Sequence, residues 1–406
     1  MNLKYDEALS NFAVKFNSRR YSKEGCAWEG RESKRAAHQA VCPLARLLAR
    51  FEDERRVFAD VLMTVAGNRK NALLHASQHD SLARVVERLL AAGEDVNTMG
   101  AGNGATALHL AAQAGNLRVV ECLIAAGADV DKKSSAVGCC TALNLAAFEG
   151  QVDVVERLIA AGADVHLAGT EDGITPLYAA AQEGHLPVLE RLLTAGAAVD
   201  TPRTDSGCGT PLDIAAYRGH VSVAERLLAA WAAVDSTRKD GATPLYMAAQ
   251  AGNVMVVNLL IAAQADVNAI KAGDDGSTSL FVAAYNGHDR VVERLLAAHA
   301  DVDTARTWDG ATPLYTAAFS GYVRVVELLI AAGADVNKAR TDGGAVPLDV
   351  ALEGGHEDVA QLILAVGATF PPDWYTEGSE VGHGRCCSPR HIVPLESRNE
   401  GSTCVG

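Results

Sequence analysis

Thr175 to Asp200 reads TPLYAAAQEGHLPVLERLLTAGAAVD, and the order of residue types in it specifies two helices and two turns. The Thr175 hydroxyl suits a helix N-cap, and Pro176 follows at the first helical position, where no amide donor is lost. Leu177 with the small Ala180 and Ala181 makes a thin helix that neighbours can approach closely. Gly184 suits a sharp turn ending that helix. A second helix follows. Its apolar residues fall in pairs four apart, as in Val154/Val155 with Leu158/Ile159 one copy earlier, so it buries one stripe and leaves its Glu-Arg residues wet.

The phrase recurs. The capping slot and its three followers are ALLH from Ala72, TALH from Thr106, TALN from Thr141, TPLY from Thr175, TPLD from Thr210, TPLY from Thr243, TSLF from Thr278, TPLY from Thr312 and VPLD from Val346: nine units spaced 33 to 35 residues apart. Asp213 stands where it can answer the Thr210 cap as a capping box. The turn glycine comes nine positions after the slot in eight units, the first having Ser81 instead. Between units lies a polar stretch with Asp172-Gly173, Asp240-Gly241, Asp275-Gly276 or Asp309-Gly310, a tight-turn signal. No single unit could bury its apolar stripe alone, so the units must stack.

This pattern, G-x-TPLY-x-AA-x-x-G-H…VV-x-x-LL-x-x-GADVN, resembles the ankyrin repeat over about residues 71–370. The resemblance implies an all-α solenoid of stacked antiparallel helix pairs with projecting β-hairpin-like loops. Its nine repeats would span 71–101, 102–136, 137–170, 171–205, 206–238, 239–273, 274–307, 308–341 and 342–370. The chain departs from the family at the histidine that usually follows T-P-L: only His75 and His109 keep it, and Asn144, Tyr178, Asp213, Tyr246, Phe281, Tyr315 and Asp349 replace it.

Residues 1–70 form an N-terminal extension, with amphipathic capping helices expected over 40–66 from Leu44, Leu47, Leu48, Phe51, Phe58, Val61 and Leu62; residues 371–406 read as a disordered tail. The first residues show neither a signal peptide nor a membrane anchor, and no apolar run reaches the ~18 residues of a span. Residues 71–370 carry 36 acidic against 19 Lys and Arg side chains, a balance that repels phosphate backbones and argues against nucleic acid. Nine cysteines without disulfide or zinc spacing point to a reducing compartment, the cytoplasm or nucleus.

Catalytic and metal constellations find no support. His185, His220, His288 and His356 each follow a turn glycine, which makes them structural starters of the second helix rather than a cluster. No phosphate loop, nucleophile elbow or kinase signature occurs. No cofactor, no metal and no enzymatic activity are expected.

What the family resemblance offers is a surface, since its partners commonly bind the concave face. Carried onto this chain, that face holds Phe148, Glu149, Gln182, Glu183, Tyr217, Arg218, Gln250, Tyr285, Asn286, Phe319 and Ser320, with Ile174 and Trp308 on the loops. Four aromatics at the helix positions, Phe148, Tyr217, Tyr285 and Phe319, suit an interface with anchors; the competing reading buries Phe148 and Phe319 against the next repeat. The loop residues Arg203, Arg238, Lys239, Lys271 and Arg306 suggest a partner with acidic patches. The expected function is that of a monomeric, non-enzymatic adaptor or scaffold binding another protein. The alternative is a substrate-recognition subunit of an enzyme complex, such as a ubiquitin ligase or phosphatase, recruited by the N-terminal helices. The resemblance also marks Asn97, Asn268 and Asn337 as acceptors for asparagine hydroxylation.

One block breaks the pattern. Where the second helix ends, glycine is usual (Gly93, Gly127, Gly162, Gly196, Gly333, Gly367), but Trp231, Gln264 and His299 replace it in three consecutive units. That slot favours positive φ, and the three residues are read as a second contact stripe.

Overall fold

The computed structural model describes residues 69–369 except 101–103, 135–139, 170–171, 205–206, 208 and 273–275; the expected capping helices and tail lie outside them. The first helices of successive repeats are α1 (Arg69–Ala76), α3 (Ala107–Ala114), α5 (Ala142–Phe148), α7 (Pro176–Glu183), α9 (Pro211–Arg218), α11 (Pro244–Ala251), α13 (Ser279–Tyr285), α15 (Pro313–Ser320) and α17 (Pro347–Glu353). The second helices are α2 (Ala83–Ala91), α4 (Leu117–Ala125), α6 (Val152–Ala160), α8 (Leu186–Thr194), α10 (Val221–Ala229), α12 (Val254–Ala262), α14 (Asp289–Ala297), α16 (Val323–Ala331) and α18 (Glu357–Ala365). From α3 onward each helix packs on its partner and on its counterpart in the next repeat, and α2 packs on α4, an all-α solenoid.

Local chemistry starts and stops these helices as the sequence requires. Thr141, Thr175, Thr210, Thr243, Thr278 and Thr312 each accept a hydrogen bond from the amide three residues on. Gly184 ends α7 at φ +78°, and a Cβ there would lie 2.7 Å from Nδ1 of His220, so the close approach of the next repeat also demands glycine. Leu108, Leu143, Leu177, Leu212, Leu245 and Leu280 are buried behind their caps, and Val119, Val154, Val188, Val256, Val291 and Val325 seal the second helices onto them.

Between repeats run two hydrogen-bond ladders. Nε2 of His185, His220, His288 and His356 donates to the carbonyls of Phe148, Gln182, Gln250 and Phe319, which gives these histidines the structural role expected of them. Nearer the loops, side-chain oxygens of Asn97, Asp131, Asp200, Asp235, Asn268, Asp303 and Asn337 accept from backbone amides of the following repeat at 2.8–3.1 Å. All three asparagines marked for hydroxylation are thus rungs of this ladder. His166 holds the slot that would serve the Ala198 amide, and an imidazole has no carboxyl oxygen to offer. His166→Asp is expected to add the rung and stabilise the array by about 1 kcal/mol; an unchanged or lower urea midpoint would contradict this.

The loops close by hairpin hydrogen bonds, for example Lys271 N–H to the Ser277 carbonyl and Arg306 N–H to the Ala311 carbonyl, and a bridge pairs Ile270 with Thr278. At the ends of α10, α12 and α14, Trp231, Gln264 and His299 have φ of +66°, +66° and +64°. They close their helices with the amide pattern of the glycine repeats: Trp231 N–H reaches the Leu228 carbonyl as Gly93 N–H reaches that of Leu90.

Candidate functional site

The slot three residues after each cap is where this chain departs from the histidine of the family pattern, and the structure gives the departure a reason. In the second to the eighth repeats, with the exception of Asp213 in the fifth, the residue there meets the next loop. His109 Nε2 donates to the Cys140 carbonyl at 2.8 Å, so Nδ1 is the acceptor toward Thr106; burial lowers its affinity for a second proton. Asn144 Nδ2 donates to the Ile174 carbonyl at 3.0 Å. Where a ring replaces these donors, a cation comes from the loop: Arg203 over Tyr178, Lys271 over Tyr246, Arg306 over Phe281 and Arg340 over Tyr315, at 5.0–5.5 Å from the ring centroids.

This corrects the reading of the loop cations as probes for an acidic partner. Arg203, Arg238, Lys271 and Arg306 lie against rings or pair with Asp172, Asp240 and Asp309 within the protein. Their stems and charges tie each loop to its own repeat, and Arg238 and Arg306 also reach Asp240 and Asp309 of the following one. Lys239 alone of the five is exposed.

The end of the first helix supplies the candidate binding row. Phe148, Tyr217, Tyr285 and Phe319 are all exposed, which answers the alternative of burial against the next repeat. Their backbone is fixed from behind: the Phe148 and Phe319 carbonyls accept from the histidine ladder, and Asn253 Nδ2 donates to the Tyr217 carbonyl at 2.8 Å. Polar members of the row are tied to one another. Gln113 bonds Glu149, Gln182 bonds Glu183, and Asn286 Nδ2 donates to the Gln250 carbonyl. Arg218 is exposed, Ser320 is half-buried, and Ile174 is half-buried at the loop base.

Three of these residues converge. Tyr285 (52% exposed), Trp308 (59%) and Phe319 (60%) surround a cavity of about 190 Å³ whose floor and sides are Ala311, Tyr315, Thr316, Arg306, Arg340 and Asp309. Arg306 is held between two rings, 5.0 Å from Phe281 and 4.6 Å from Trp308. Its Nε and Nη2 donate to Asp309 at 2.9 and 2.5 Å, and Arg340 Nη2 lies 3.2 Å from the same carboxylate. Burial pushes the Asp309 carboxyl up, but the Arg306 hydrogen bond, the Ala311 amide and the charges of Arg306 and Arg340 outweigh it and hold it below the ordinary value. An exposed tryptophan is thereby locked in place from one face while the other stays open.

Phe148, Glu149, Gln182, Glu183, Tyr217 and Arg218 belong to earlier repeats of the same row and do not enter this cavity. Arg340, Tyr315 and Asp309 were missed from sequence. A signal for Arg340 existed, since Arg203, Arg238, Lys271, Arg306 and Arg340 recur at the repeat spacing. Among the described residues no group of three or more His, Cys, Asp or Glu side chains is placed to hold a metal ion, and no helix is long and apolar enough to cross a membrane.

Comparison with family models matches ankyrin repeats (3 copies) at residues 35–134, 73–168, 143–240, 212–306 and 280–371, the first match beginning inside the N-terminal extension. Comparison with curated proteins gives no match.

Proposed function

Because the chain belongs to the ankyrin-repeat family, whose repeats are generally protein–protein interaction modules, we propose that it is a non-enzymatic adaptor that binds another protein through the row from Phe148 to Phe319. The observation that carries this reading is the aromatic cavity. Tyr285, Trp308 and Phe319 expose large rings at a place where the backbone and the Arg306 stack already fix their positions, so little ordering cost remains at binding. The cavity admits one bulky apolar side chain of a partner segment, and the row of Phe148, Gln182, Tyr217 and Gln250 extends the contact along the array. With spacing of roughly 8–10 Å per repeat, such a row exceeds the ~800 Å² per partner of a standard interface.

Affinity selection of a random peptide library on the full chain tests this. The selected peptides are expected to carry a bulky apolar residue and to lose at least roughly tenfold in affinity for Tyr285→Ala and for Phe319→Ala. Unchanged affinity in both variants, with their melting temperatures intact, would remove the inner row as the binding surface.

A further inference from the structure

The second helices repeat a charged outward face. Their second residue is Arg84, Arg118, Asp153, Arg290, Arg324 or Asp358 in six of them, and glutamate recurs at Glu87, Glu121, Glu156, Glu190, Glu225, Glu293 and Glu327. Helix α12 breaks this: Met255 and Asn258 stand in those places, and among the described second helices it alone has no charged side chain. Met255 is 64% exposed. The uncharged helix falls in the middle of the block in which Trp231, Gln264 and His299 occupy the left-handed slot.

Room for a side chain does not explain glycine in that slot. At Gly93, Gly127, Gly162, Gly196 and Gly333 a Cβ would meet nothing within 4 Å. Backbone conformation alone favours glycine there, so each of the three replacements carries the conformational cost of a left-handed L-residue. Trp231 is 91% exposed, and contact with its own chain therefore offsets almost none of it.

Along the loops the surroundings are negative, while on the helix face Arg294 Nε donates to Asn258 Oδ1. Two residues beyond Trp231, Gln264 and His299 lie Ala233, Asp266 and Asp301, whose amides are held by Asp200, Asp235 and Asn268. Asp200, Asp235, Asp266 and Asp301 are all exposed. The C-terminal ends of α10, α12 and α14 add the negative poles of three helix dipoles. A second copy of this chain would bring a like-charged row against this one, whereas a cationic segment would find both carboxylates and an open indole face.

We propose that Trp231, Gln264 and His299, with the uncharged α12 beside them, form a second docking edge for an Arg- and Lys-bearing amphipathic segment of another protein. A guanidinium stacks on Trp231 and pairs with Asp235 and Asp266, while the apolar side of the segment covers Met255. Trp231, Gln264 and His299 lie at the opposite end of the second helices from the inner row, and Met255 stands in the first turn of α12, so the segment runs along the outer face of that helix.

The test uses the full chain and a labelled synthetic amphipathic peptide with arginine on one helical face and leucine on the other, titrated by fluorescence anisotropy at physiological salt. Trp231→Gly changes no charge and restores the favoured glycine, so it is expected to raise the melting temperature yet weaken the peptide roughly fivefold or more. Asp235→Asn keeps a rung acceptor, as Asn268 does, and Asp266→Asn keeps the oxygen that accepts from the Asn268 amide; both are expected to weaken binding and flatten its salt dependence. Tyr285→Ala is expected to leave this binding unchanged, which separates the edge from the inner row. Equal affinity of Trp231→Gly and the native chain would mean bulk attraction to an acidic protein and would overturn the proposal. So would equal binding of a glutamate-substituted peptide, or a self-association that Trp231→Gly abolishes while the arginine peptide fails to bind.

Discussion

Asp309→Asn is expected to destabilise the array by about 2–4 kcal/mol at neutral pH. Asp309 is 1% exposed and is the shared counter-ion of Arg306 and Arg340. Removing one partner of a buried pair leaves the others' charge uncompensated in a poorly solvated place, which costs more than the pair itself contributes. The effect is moderated because both guanidiniums keep about a fifth of their surface in water, and Arg340 retains Asp342 as a partner.

The pH dependence tests the cause. The carboxyl is held below its ordinary value in the folded protein, so its contribution is fully present above the unfolded value of about 3.9 and is lost as pH falls through the lower folded value. The gap between native and Asp309→Asn chains in chemical denaturation should therefore be wide at pH 7 and close in strong acid. A gap below about 1 kcal/mol at pH 7, or one independent of pH, would mean that the Arg306 stack stands without its counter-ion. If the stack does depend on Asp309, peptides selected on the native chain should also bind the variant less tightly, because Trp308 loses the guanidinium behind it.

How much of this was legible in the sequence depends on how local each cause is. The helix pairs were, because Thr175, Pro176, Gly184 and their counterparts act within one turn of backbone and recur at a fixed spacing. So were the positive φ at Trp231, Gln264 and His299 and the structural role of the turn histidines. The use of Arg306 was not. Its ring partner Phe281 lies 25 residues earlier, on the first helix of the repeat, and exposed and stacked arginines look alike in a list of residues. Asp309 read only as the first half of an Asp-Gly turn, which it also is, since its carboxylate accepts from the Ala311 amide. That Tyr285, Trp308 and Phe319 meet depends on the path of the loop between α14 and α15, which no periodicity of side chains specifies.

Asp213→Asn is expected to stabilise the array by about 2–3 kcal/mol above pH 7 and to make little difference at pH 4. Oδ2 of Asp213 accepts from the Thr210 amide at 2.7 Å and the Thr210 hydroxyl at 2.9 Å, whereas Oδ1 is buried with no hydrogen-bond partner. Burial pushes this carboxyl up to about 6, against the pull of both Thr210 hydrogen bonds and the Arg238 charge. The neighbouring repeats show what the slot wants. His109 and Asn144 each donate to the carbonyl just before the next threonine cap, and the corresponding acceptor for Asp213 is the Ala242 carbonyl. An ionised carboxylate has no proton to give it. Folded, the group keeps its proton to about pH 6; unfolded, it releases it near 3.9, so folding takes up a proton between these values. Its contribution is therefore fully present below about pH 4 and lost as pH rises through 6. Asparagine keeps an acceptor for Thr210 and supplies the missing donor without a charge. Urea denaturation of the two chains from pH 4 to 7.5 should show a gap that opens between these limits. A gap of the same size at both ends would rule out the buried charge as its origin, and a loss of stability at pH 7.5 would mean that the ionised capping box outweighs the cost of burying it.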